Sequence, residues 1–254
     1  METMYQRTNL LIGSDAVAIL QKSRVAVFGL GGVGGMVVES LARIGVGSFL
    51  LVDGDVVSES NFNRQIIATR ASIGRKKTEV MRERVLSISD NIKVDVLDLF
   101  VLEENLYEID FSEVDYVVDA IDTITTKLAI VERCKREGIH IISSMGAGNR
   151  TSMNFKISDI FDSNICPIAK IMRKKLRDKG IDKLKVVYSL EEPKGHYDEY
   201  DNNGGIINAA AASPQGQSKR VRKTIGSIPF APMCAGLYLA SEVVNDLTKS
   251  KIKK

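Results

Sequence analysis

The stretch Arg24–Asp55, RVAVFGLGGVGGMVVESLARIGVGSFLLVDGD, leaves few folds open to this chain. Arg24–Phe28 is a short apolar run rich in valine, as expected of a parallel strand buried on both faces. Gly29, Gly31, Gly32 and Gly34 follow at once. From Gly35 to Ile44, the residues Met36, Val37, Ser40, Leu41 and Ile44 recur at helical spacing. Ser48–Val52 reads as a second strand, and Asp53 closes it. Strand, glycine turn, helix, strand and terminal acid form a nucleotide-binding βαβ unit. Its glycines permit a tight turn and close phosphate approach, and a helix N-terminus faces the anion. The pattern predicts an α/β fold with a doubly wound, mostly parallel sheet of Rossmann type.

The residues after Asp53 decide which nucleotide. A dinucleotide enzyme would use Asp53 on a ribose hydroxyl. Here Asp55 follows, then Asn61-Phe62-Asn63-Arg64-Gln65, then Gly74-Arg75-Lys76-Lys77. A nicotinamide cofactor has no use for this battery of cations beside its pocket. A triphosphate does, because Arg and Lys offset its charge and fix its oxygens.

At these residues the chain resembles the ubiquitin-activating-enzyme-like adenylating superfamily, which includes bacterial activators of sulfur-carrier proteins. The family pattern is a GxGGxG turn, a DxD pair, an N-x-x-R-Q segment, a GxxK and a later Asp. All five occur in order, the last as Asp122. The resemblance narrows over NFNRQIIATRASIGRKKTEVMRERV, YVVDAIDT, IISSMGAGN and CPIAKIMRKKLRDKGIDKLKVVYSLEEP to a homodimeric branch, the tRNA threonylcarbamoyladenosine dehydratases. It covers about Tyr5 to Leu247. It implies ATP-driven cyclisation of threonylcarbamoyladenosine beside the anticodon of tRNA, through a carboxyl-adenylate. The alternative within the superfamily is adenylation of the C-terminus of a ubiquitin-like sulfur carrier.

The resemblance assigns roles residue by residue. Gly31, Gly32 and Gly34 admit the nucleotide. Asp53 binds the ribose and Asp55 orders the site. Asn61, Arg64, Gln65 and Lys77 meet the phosphates. Asp122 holds magnesium; its place after a strand end agrees, because a carboxylate there repels phosphate unless a metal intervenes. Asp122 could equally cap the following helix. In dimeric bacterial relatives an Arg just upstream of the glycine strand reaches the partner's ATP, and Arg7 has the matching offset. A monovalent cation near Gly146–Gly148 and an assisting sulfur-transfer protein are further possibilities on this reading.

Composition supports part of this. The 254 residues, 44 % hydrophobic, suffice for one large domain, expected to run over 1–254 with a nucleotide-binding half to 150. No run of 18 apolar residues exists, so no membrane span is expected. Cys134, Cys166 and Cys234 form no CxxC pair. That fits a reducing, cytoplasmic setting and departs from relatives with a tetrathiolate zinc. From Thr151 onward there are 18 Lys+Arg against 11 Asp+Glu; before it, 17 against 21. An acidic nucleotide half with a basic second half suggests a polyanionic partner, which the resemblance implies is tRNA, unless the basic residues form only a solvated helix face and a charged tail.

Along the chain, helices are expected at Leu10–Leu20, Lys76–Ile88, Asn105–Phe111, Thr125–Glu137, within Ser163–Gly180, and at Ile228–Asn245. Further strands are expected at Lys93–Asp98, Asp115–Val118, His140–Ser144, Asn154–Asp159 and Leu184–Tyr188. The helix in Ser163–Gly180 turns Ile168, Ile171, Met172 and Leu176 inward, leaving Arg173, Lys174 and Arg177 as candidate nucleic-acid contacts. Glu191–Thr224 lacks apolar periodicity and carries Lys219, Arg220, Arg222 and Lys223; it corresponds to the mobile crossover loop of the superfamily. Cys234 opens an apolar helix and reads as packing rather than as a thioester nucleophile.

Overall fold

The structure is a computed structural model and describes residues 4–194 and 225–249. The basic residues at 219–223 therefore lie outside the described residues. Seven strands form one sheet: β1 Arg24–Phe28, β2 Ser48–Val52, β3 Lys93–Leu97, β4 Tyr116–Asp119, β5 His140–Ser144, β6 Phe155–Asp159 and β7 Lys185–Ser189. Their order is β3-β2-β1-β4-β5-β7-β6, parallel except for β6, which runs antiparallel to β7. The sheet thus takes strands from both halves of the chain. β1 is an inner strand, in register with Ser48–Val52 on one side and Tyr116–Asp119 on the other.

Alternate residues of these apolar strands face opposite layers, and both layers are covered. Val25, Val27, Phe49, Leu51 and Val118 pack with α2 (Ser14–Lys22), α3 (Gly32–Ile44), α4 (Lys77–Ile88) and α7 (Phe230–Thr248). Ala26, Phe28, Leu50, Val52 and Val117 pack with α5 (Ile124–Glu137) and α6 (Pro167–Asp178). Burial on both faces is why the strands read as continuous apolar runs rather than as alternating ones.

Two expected elements differ. The leading helix is broken into α1 (Gln6–Ile12) and α2 by Gly13, whose φ of 87° lies outside the helical region. Asn105–Phe111 is only a 3-10 turn at Leu106–Glu108. There the Asn105 side chain accepts from the Leu102 N–H and donates to the Phe100 carbonyl, which fixes a loop conformation in place of helix. Leu106, Ile109 and Phe111 still bury themselves, as a loop plug against Phe28 and α5. The remaining elements fall within a few residues of expectation.

Candidate nucleotide and acyl-transfer cleft

A parallel sheet gathers its loops at the carboxyl ends of its strands, and a cleft of about 440 Å³ lies there. It is lined by the turns after β1, β2, β4 and β5, with Arg64, Gln65 and Lys77 along one wall. The turn after β1 sets its shape. Gly29 adopts φ 87°, and a Cβ on Gly34 would lie 1.8 Å from the Gly29 carbonyl oxygen. Only glycine lets α3 start this close to the strand that feeds it. The first turn of α3 then points unsatisfied backbone N–H groups at the cleft.

Asp53 ties this turn down. One carboxylate oxygen accepts from the Leu30 N–H at 2.6 Å and the other from the Asp55 N–H at 2.8 Å. Burial pushes the Asp53 carboxyl above the usual aspartate range, against the pull of Lys77 and of these N–H donors. Lys77 is buried at the start of α4, and its ammonium reaches Asp55 at 2.7 Å. Asn61 is buried in a 3-10 turn, where its side-chain Oδ1 accepts from the Ser58 N–H. Arg64 is half-buried; one terminal nitrogen donates to the Ser60 carbonyl at 2.8 Å and to the Asn63 side chain at 2.9 Å. Gln65 is buried in the cleft wall with an amide oxygen that has no hydrogen-bond partner. Gly31, Gly32, Asp53, Asp55, Asn61, Arg64, Gln65, Lys77 and Asp122 all line this one cleft, and Gly34 sits just beneath it in α3.

Asp122 is exposed at the mouth and accepts only from the Thr123 hydroxyl, at 3.2 Å. The cap of α5 is Thr123, so Asp122 is not occupied as a helix cap. No group of three or more His, Cys, Asp or Glu able to hold a metal exists among the described residues. One carboxylate facing a phosphate pocket still suits magnesium, which is often held by one or two carboxylates and substrate phosphates.

Arg7 stands elsewhere, exposed on α1, which buries no residue of its own. On α6, Arg173 is half-buried and donates to the Ser163 carbonyl at 2.8 Å and its hydroxyl at 2.6 Å. Lys174 and Arg177 are exposed, Arg177 lying 5.2 Å over the Phe161 ring. Lys170 joins their exposed row. Cys234 is half-buried on α7; its thiol donates to the Met153 carbonyl, and burial pushes it above its ordinary range.

Sequence reasoning missed the floor of the cleft. Lys127 on α5 is 2 % exposed and reaches the fully buried Asp119 at 3.0 Å and the Ser144 carbonyl at 2.7 Å. The Ser143 hydroxyl donates to the same Asp119 oxygen. This network clamps the ends of β4 and β5 to α5. Its signal was a lysine one turn into α5, immediately before the strongly apolar run Leu128–Val131. Phe100 was also missed; it is 64 % exposed, lines the cleft and packs on Gly54.

The ThiF family pattern matches residues 5–253. A tRNA threonylcarbamoyladenosine dehydratase from Bacillus subtilis is 37 % identical over 247 residues, 96 % of this chain and 94 % of that one. Another from Escherichia coli is 35 % identical over 221 residues, 84 % of this chain and 81 % of that one. A crystal structure of E. coli tRNA N6-threonylcarbamoyladenosine dehydratase, TcdA, in complex with ATP superposes with a TM-score of 0.82 at 27 % identity. That superposition covers 97 % of this chain and 94 % of that one.

Proposed function

The chain belongs to the ThiF family, and from that premise we propose that it is an ATP-dependent enzyme that cyclises threonylcarbamoyladenosine in tRNA. The observation that carries this reading is a nucleotide-sized glycine cleft in which Arg64, Gln65, Lys77 and Asp122 converge. Relatives of near-equal length with that activity in their names support it.

The free carboxylate of the modified base is a poor acceptor. Its attack on the α-phosphate of ATP breaks the bond to the β-phosphate and gives an acyl-adenylate and pyrophosphate. A neighbouring group of the same modification then attacks the acyl carbon, and AMP leaves with the former carboxylate oxygen. The second step is intramolecular and gains from the effective concentration of the bound arrangement. The protein positions the groups and stabilises charge. Backbone N–H groups of the turn and the α3 N-terminus face the phosphates. Lys77 and Arg64 offset charge at the α-phosphate. Asp122 would hold magnesium, which supplies further charge neutralisation on the phosphates. Cys234 has no part, because ring closure requires no thioester.

The enzyme acts as a homodimer on this reading. Leu10 and Leu11 of α1 are 84 % and 85 % exposed, an apolar ridge suited to a second copy, and Arg7 lies on the same helix. Arg7 would then serve the partner's ATP.

Pyrophosphate release is the test. The protein with ATP and threonylcarbamoyladenosine-modified tRNA should release it, while unmodified tRNA or a ubiquitin-like carrier protein should not. Release with the carrier alone would replace tRNA by a protein substrate. A mixture of Arg7→Ala and Lys77→Ala subunits should regain activity that neither has alone. No recovery after subunit exchange would remove Arg7 from the partner's site.

A further inference from the structure

Beside the cleft lies a smaller cavity of about 30 Å³, walled by Gly146, Gly148, Cys166, Ile168 and Ile225. Gly146, Gly148, Ile168 and Ile225 also line the main cleft, so the two adjoin. The charged member of its wall is Arg150, only 4 % exposed. One terminal nitrogen of Arg150 donates to the Gly148 carbonyl at 2.6 Å. Its Nε and Nη2 are buried and have no partner.

A buried guanidinium with two idle donors is costly to keep, since each lost its water without gaining an acceptor. Glu191, which bonds the residues next to Arg150 in the chain, spends both oxygens on Thr151 and Ser152. Nε and Nη2 lie on one edge of the guanidinium, and that edge forms a fork matched to the two oxygens of a carboxylate. The cavity is too small for a nucleotide phosphate, for which the glycine turn already provides a place. Its apolar walls suit a carboxylate carried on a short aliphatic arm. The size also fits, since one water occupies about 10–15 Å³ on this measure.

We propose that Arg150 is the docking residue for the substrate's carboxylate, received in this side cavity beside the turn after β5; the assignment rests on the function proposed above. The same guanidinium places a positive charge against the Gly148 carbonyl, which disfavours the monovalent cation considered for Gly146–Gly148.

The test uses the full-length protein, threonylcarbamoyladenosine nucleoside and its carboxamide, each as a competitor of modified tRNA in the pyrophosphate assay. The parent should be inhibited roughly 10- to 100-fold better by the carboxylate than by the amide, the range for a hydrogen-bonded charge. Arg150→Met should be inhibited equally by both, show a raised KM for modified tRNA, and bind ATP like the parent. Arg150→Lys, which keeps the charge but not the fork, should recover only part of the preference. Because the methionine removes a desolvated charge, its urea midpoint should not fall. A variant that keeps the parent's preference, or one that loses ATP affinity and stability together, overturns the docking role. If the parent itself ignores modified tRNA, the functional reading falls first and takes this assignment with it.

Discussion

On the proposed function, Lys77 and Arg64 are the cations that the folded chain holds ready for phosphate at the cleft wall. Lys77 has lost its hydration along a buried stem, and Asp55 keeps the ammonium in place at 2.7 Å. Arg64 is tethered through one terminal nitrogen, and its remaining N–H groups are not tied up by that tether. Donors fixed before the reaction cost no reorganisation when charge develops. Replacing either residue by Ala should slow adenylation by ~10²–10³, the scale for losing one preorganised donor. Pyrophosphate release near the parent rate in both variants would exclude them from charge stabilisation. The placement of these two residues in the cleft was legible because their spacing from the glycine turn is what phosphate chemistry would demand of cations. Lys127 and Arg150 were not, because a single Lys or Arg in an apolar or loop context looks solvated until the fold buries it. Arg173 misled in the other direction: its spacing on α6 suggested a free face, yet Ser163 from the preceding turn captures its guanidinium.

At the scale of elements, the long α7 is fastened to the sheet by a polar cluster at its C-terminal end. Lys185 on β7 reaches Asp246 and Glu242, both at 2.6 Å, and Tyr116 on β4 donates to Asp246 at 2.7 Å. Burial alone would raise the Asp246 carboxyl; the Lys185, Lys249 and Tyr116 donors prevail and lower it from 3.8 to about 2. A carboxyl whose folded pKa is depressed stabilises the fold above its unfolded pKa and loses that contribution as pH falls through the folded one. The window therefore runs from about pH 4 down to about pH 2, and the shift corresponds to about 2 kcal/mol. Acid unfolding followed by circular dichroism should show this loss in the parent and not in Asp246→Asn. Identical acid profiles for the two would mean that the cluster is not coupled to folding. None of this clasp was visible in the sequence, since its members are separated by up to 130 positions. The inner strands, in contrast, were legible almost to the residue, because burial on both faces forces near-continuous apolar runs. Boundaries failed where a local side chain or one glycine outweighed periodicity, at Asn105 and at Gly13.

For the whole molecule, the division of charge becomes a division of surface. The nucleotide cleft collects Arg64, Lys77 and Lys127, whereas α6 presents Lys170, Lys174 and Arg177 at i, i+4 and i+7 along one exposed face. Its opposite face buries Ala169, Met172 and Leu176, so this helix cannot turn its charges inward. If that row meets tRNA phosphates, each contact releases condensed counterions, and log affinity falls linearly with log salt. Replacing Lys170, Lys174 and Arg177 together by Ala should weaken tRNA binding and flatten the salt slope by roughly 2–3 units, about one per contact. ATP affinity should not change, because the row lies off the cleft. Arg173→Ala should behave differently: it removes a tether to Ser163, so the expected loss is in thermal stability, with the salt slope near that of the parent. A triple variant that binds tRNA like the parent at every salt concentration would make this face merely solvated. The basic half of the chain would then need another surface to meet a polyanion, and a protein substrate for the adenylating cleft would gain ground.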